Sequence, residues 1–188
     1  MSFNRTQAAF AIAVFLLVGQ AEAQTVGRYK LGHVADPGEI AAWDIDVRGD
    51  GTGLPAGSGN IEQGKAIFAE SCAACHGDKG QGAIGDILVG GKGTLNTAKP
   101  IKTIGSFWPY APTLYDYVSR AMPFNAPQSL TPSQVYAVTA YLLFLNGILP
   151  ESAKLDASSL SRIEMPNRGG FTSDPRPDVP PPAASIQR

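Results

Sequence analysis

The sequence runs to 188 residues with a formal net charge of -1, enough for one modest core rather than two. Near-neutral charge removes any overall electrostatic case for nucleic-acid binding. Its two cysteines, Cys72 and Cys75, stand close together, so no disulfide framework is available.

Arg5 precedes an apolar run from Ala8 to Val18, and Ala21-Glu22-Ala23 follows before Gln24. A basic start, a short apolar centre and an A-x-A site make a secretory signal, expected over 1–23 with cleavage after Ala23. The run is shorter than the ~20 apolar residues that span a bilayer, and no second such run follows. The mature chain is therefore expected in the periplasm, without a membrane span. Residues 24–59 show little apolar periodicity and read as an N-terminal arm that wraps its own domain. Within the arm, Asp36 and Pro37 are N-cap and N1 of a short helix through Trp43. Asp44-Ile45-Asp46 begins like a calcium loop, but Arg48 and Pro55 occupy positions that would have to supply oxygen ligands.

The first strong helix is expected from Asn60, which pairs with Gln63 as a capping box. Gly64, Phe68 and Cys72 recur on one of its faces. A mid-helix glycine is costly, so Gly64 predicts the close approach of another helix, with Tyr141 as its neighbour. The helix leads into Cys72-Ala73-Ala74-Cys75-His76. Two thiols at that spacing can each bond covalently to one haem, and the adjacent histidine can supply an axial nitrogen to its iron. A thioredoxin-like dithiol would expect a strand leading into the motif. Zinc would have to recruit distant His33, and the two histidines lack the usual ligand spacing. One covalently attached haem c is the expectation, and such attachment accords with export.

Gly80 to Gly85 matches G-x-G-x-x-G but follows no strand, so it makes no dinucleotide site. The stretch to Gly105 reads as a flexible loop able to curve around a flat cofactor. Its lysines, Lys79, Lys92, Lys99 and Lys102, form a solvated face or a weakly basic docking rim. Trp108 and Tyr110 are candidates for haem packing or propionate contact, with core packing the equal alternative. Pro112 opens a helix carrying Leu114, Val118 and Ala121 on one side, and Met122-Pro123 stops it. Thr131-Pro132-Ser133-Gln134 starts the next helix, with an apolar stripe of Val135, Val138, Leu142 and Leu145 and a stop at Asn146-Gly147. Met122, on its turn before proline, is favoured as the second axial ligand; Met165 and His33 compete. Leu155, Leu160 and Ile163 are expected to pack back on the domain, whereas Pro175, Pro177 and Pro180 to Pro182 make an extended or disordered tail.

The expected fold is mostly α. A signal peptide (1–23) and arm (24–59) precede a haem domain (60–150), followed by an extension (151–170) and a Pro-rich tail (171–188). From Asn60 to Asn146 the order of helix, C-x-x-C-H, long loop, methionine turn and C-terminal helix resembles class I cytochrome c. A narrower resemblance runs through Glu39 to Arg48, Leu114 to Tyr117, Arg120 to Pro127, Tyr136 to Tyr141 and Met165 to Arg168. These segments are similar to SoxD and to the cytochrome subunits of bacterial sulfite dehydrogenases. That resemblance implies haem held by Cys72, Cys75, His76 and Met122. It also implies electrons received singly from a molybdopterin sulfite dehydrogenase-like subunit and passed to a downstream cytochrome c or oxidase. One C-x-x-C-H in a short chain departs from typical SoxD and favours a single-haem sulfite dehydrogenase subunit. The alternatives are a free periplasmic shuttle and, with an open iron position, a haem enzyme or gas sensor.

Overall fold

The computed structural model describes residues 32–174 together with 176 and 178. The expected signal peptide, the start of the arm and most of the Pro-rich tail lie outside the described residues. The chain divides into two units, Met1–Trp43 and Asp44–Arg188. In the first, helix α1 (Pro37–Trp43) is capped as its sequence predicts. Asp36 Oδ1 accepts from the amides of Gly38 and Glu39 at 2.7 and 3.0 Å, and Glu39 Oε2 accepts from the Asp36 amide at 2.9 Å.

In the second unit, β1 (Ser58–Asn60) leads directly into α2 (Ile61–Ser71), followed by the single turn α3 (Ala73–His76), α4 (Ala111–Ala121) and α5 (Pro132–Leu145). Strand β2 (Lys154–Asp156) and the turn α6 (Ala157–Leu160) complete it. The capping boxes of α2 and α5 form as expected: Asn60 Oδ1 accepts from Gln63 N at 2.9 Å, and Gln134 Oε1 accepts from Thr131 N at 2.8 Å. Helix α4 begins one residue before Pro112, which occupies its second position.

Helix α2 crosses α5 at Gly64. A Cβ there would overlap the Ala137 carbonyl and sit 2.8 Å from Tyr141 Cβ. One turn on, the rings of Phe68 and Tyr141 meet at 5.4 Å between centroids. Gly59 repeats the device from β1, since a Cβ would come within 2.6 Å of Ala137 Cα. The chain reaches α5 so closely because two glycines remove the side chains that would hold it off.

Two features differ from the sequence reading. Helix α5 is not amphipathic: Val135 through Leu143 are all buried, because α2, α4 and the β1–β2 pair surround it. Leu145, placed on its expected stripe, is only partly buried. The antiparallel pairing of β1 with β2, Gly59 opposite Leu155, was not legible in two three-residue segments without alternation. As expected, the extension packs back on the domain, and residues 44–59 of the arm join the core. Val47, Leu155, Leu160 and Met165 are buried in the same cluster as Phe68 and Leu142, with Leu54 and Ile163 packed against it.

The arm is fastened by polar bonds as well. The Val47 amide donates to Asp116 Oδ1 at 2.8 Å, and Tyr136 Oη donates to the Pro55 carbonyl at 2.8 Å. Asp116 also receives Arg120 Nε at 2.8 Å from one turn along α4. Burial pushes the Asp116 carboxyl up, but the Arg120 and Val47 hydrogen bonds together outweigh it and hold it below the usual carboxylate range.

Two outcomes follow from this packing. Gly64→Ala is expected to lower unfolding free energy by about 3 kcal/mol or more in urea titrations. Gly169→Ala, with nothing near the added methyl, should stay within about 0.5 kcal/mol of the parent. Asp116→Asn should cost about 2 kcal/mol at neutral pH. Because the folded carboxyl titrates below its unfolded value of about 3.9, that contribution is present above pH ~4 and lost as pH falls through the folded pKa. The difference between parent and variant should therefore close in acid.

Candidate functional site

Cys72 ends α2, its amide donating to Phe68 O at 2.9 Å, so the helix axis and the Phe68–Tyr141 contact fix its position. The chain then turns once through α3, with the amides of Cys75 and His76 both donating to Cys72 O at 3.1 and 3.0 Å. That turn carries two free thiols, Cys72 half-buried against the core and Cys75 exposed. Before any haem is attached, burial, with the neighbouring Cys75, pushes the Cys72 thiol up to about 11.

The expected flexible loop is instead tied back onto this turn. The amides of Gly82 and Gly85 donate to the carbonyls of His76 and Cys75, each at 2.7 Å. Gly82 has φ +87°, a conformation in which glycine is unstrained. Gly85 lies on the imidazole itself, since a Cβ there would stand 3.0 Å from His76 Cε1 and 3.1 Å from Nδ1. At the next residue the Asp86 carbonyl accepts from His76 Nδ1 at 2.8 Å. A carbonyl only accepts, so Nδ1 carries the proton and the lone pair is on Nε2. The ring is thereby held in the tautomer that ligates through Nε2, and the bond to Asp86 raises its basicity. Neither Gly85 nor Asp86 was legible as a site residue, because the contact uses backbone and a missing side chain.

Met122 lies just beyond α4, with extended backbone at φ -125° and ψ 147°, its amide donating to Val118 O at 3.2 Å. Its side chain is half-buried and packs on the same cluster as Cys72, Ala73, Leu88 and Trp108. Met165, the competing thioether, is 3% exposed and is a core side chain. His33 belongs to the first unit, where its Nε2 meets Glu39 Oε1 at 3.1 Å. Trp108 packs edge-on against Tyr117 with centroids 5.9 Å apart. The Tyr110 ring has Gly49 against it, and the Arg168 guanidinium lies over it at 5.3 Å, so its packing role is the one on view.

Among the described residues no three His, Cys, Asp or Glu side chains gather as a metal site. The donor set fits a covalently attached haem. Two thiols project from one turn, a histidine is locked with Nε2 free, and a half-buried thioether joins the same cluster. Haem held there would supply a reversible one-electron couple; the residues described would supply its attachment, the orientation of one axial nitrogen and an apolar bed.

Comparison with known proteins agrees with that chemistry. A family model described as cytochrome c matches residues 61–146. The chain is 45% identical to a chain in the crystal structure of the sulfane dehydrogenase SoxCD from Paracoccus pantotrophus, with a TM-score of 0.74 over 79% of this chain and 74% of that one. It is also 33% identical over 93 residues to a thiosulfate dehydrogenase of Stutzerimonas stutzeri (strain A1501). That match takes in 47% of this chain and only 28% of the relative.

The two methionines should separate cleanly. Met165→Ala is expected to cost 2–5 kcal/mol of stability, roughly the range for emptying a buried site, and to leave the optical spectrum of the haem protein unchanged. Met122→Ala should abolish the sulfur-to-iron charge-transfer band. The opposite pattern in the two spectra would make Met165 the ligand.

Proposed function

The chain belongs to the cytochrome c family, and we propose that it is the haem subunit of a molybdopterin-dependent sulfur-compound dehydrogenase of the sulfite dehydrogenase type. In this reading Cys72 and Cys75 hold one haem c by thioether bonds, and His76 and Met122 are its axial ligands. Electrons arrive singly from the molybdenum subunit and leave to a downstream cytochrome c or oxidase. The work takes place in the periplasm, in keeping with the signal expected over 1–23 and with the export that covalent haem attachment accompanies.

The observation that carries this reading is the 45% identity to a SoxCD chain over 79% of the sequence. A thioether opposite histidine raises the reduction potential, which suits an acceptor of electrons from the oxidation of sulfur compounds. A second reading, a free shuttle cytochrome, is favoured by one structural fact. Residues 44–59 and 151–165 build the core, so their presence beyond the family domain is no argument for docking.

The two readings part on purification. A tagged chain recovered from the periplasmic fraction is expected to bring down a larger molybdenum protein in fixed ratio. In that complex, sulfite or a sulfane-sulfur donor should reduce the haem, and the isolated cytochrome should stay oxidised. A cytochrome that elutes alone, and binds unrelated oxidases weakly with a steep loss in salt, would be a shuttle. Carbon monoxide binding to the reduced native protein would show an open iron position and overturn both.

A further inference from the structure

Beyond the packing of its side chain on the core, Met122 has few backbone hydrogen bonds to the rest of the fold. Its amide bonds to Val118 O within its own helix, and the next residue is proline, which has no amide proton. The residues after it are exposed from Phe124 to Ser129, and their backbone bonds, Ala126 to Pro123 and Ser129 to Ala126, stay within the segment. The backbone of the methionine is therefore held from its N-terminal side, by the last turn of α4.

That turn has one polar tether. Arg120, two residues before Met122, gives Nε and Nη2 to the two carboxylate oxygens of Asp116. Asp116 Oδ1 also accepts the Val47 amide at 2.8 Å, although the two residues are 69 apart in sequence. Asp116 is only 9% exposed and Val47 only 6%. Arg48 is locked in turn by its own amide bond to Thr52 O at 2.9 Å. A buried carboxylate in the middle of α4 thus links Arg120, in the helix's last turn, to a segment lying outside residues 61–146, the stretch the family model matches.

We propose that Asp116 is a positioning residue for Met122: by accepting from both Arg120 and the Val47 amide it sets how firmly the thioether stays on the haem iron. The inference rests on the reading of Met122 as axial ligand. Asp116 and Arg120 neutralise one another, so their part is mechanical rather than a field at the iron. The clamp shortens the reach of the last helical turn and keeps the methionine from swinging out when its bond breaks. Without it, the turn can fray while the core formed by α2 and α5 remains intact.

The test uses the full-length ferric holoprotein and imidazole, which takes the methionine's place on iron. At saturating imidazole the rate of loss of the sulfur-to-iron band reports the departure of the thioether. Asp116→Ala should raise that limiting rate about tenfold or more. Asp116→Asn, whose amide oxygen can still accept from Val47, should fall between Asp116→Ala and the parent, as should Arg120→Gln. Leu160→Ala empties a fully buried position in the core and serves as the stability control. Its rate should stay near the parent value although its unfolding midpoint drops. An unchanged rate in the Asp116 and Arg120 variants overturns the proposal, as does a rate that follows the unfolding midpoint in every variant, Leu160→Ala included. If Asp116→Ala does not fold, Asp116→Asn and Arg120→Gln carry the comparison. Persistence of the band in Met122→Ala would instead remove the ligand reading itself, and the proposal with it.

Discussion

The contact on which this structure depends is one where a side chain is missing. At Gly64 the backbone of α2 meets the carbonyl of Ala137 on α5, with Tyr141 alongside. Alanine at that position would drive the helices apart, and interiors packed at crystal density have no slack to absorb the change. The displacement would not stay local. Phe68 would leave Tyr141, and Cys72, the last residue carried by the same helix, would move with it. The attachment turn is placed by a packing constraint two helical turns away from it.

From that fixed point the site is assembled mostly by backbone. His76 gains its tautomer from the Asp86 carbonyl and its steric seat from the absent side chain of Gly85. The amides of Gly82 and Gly85 fold the loop back on the residues just before it. A loop held this way keeps the imidazole from rotating, at little cost in conformational strain, since its turns fall on glycines with positive φ. The reacting nitrogen is thus preorganised by groups that any sequence has, arranged by residues chosen for what they lack.

This division explains what the sequence could disclose. Features whose signal is local were legible: the C-x-x-C-H turn, the capping boxes at Asn60 and Thr131, the costly glycine at 64 that called for a neighbour. Features that depend on partners far along the chain were not. Ser58-Gly59-Asn60 and Lys154-Leu155-Asp156 each lack a pattern and become strands only by pairing. Helix α5 looked one-sided because periodicity counts apolar residues, whereas Tyr136, Thr139 and Ala140 are buried by what surrounds them. Asp116 reads as an ordinary helical i,i+4 partner of Arg120 until the Val47 amide is seen to arrive from the arm.

The same distinction bears on how the protein works with others. In the segments outside the family domain, Val47, Leu155 and Met165 are spent on the core. What they add is hold: the arm grips the end of α4, and the extension covers the Tyr110 turn through Arg168. Added hold matters for a one-electron carrier, because the energy needed to reorganise ligands and packing on each change of charge slows transfer. Partner recognition must then come from surface the core does not consume.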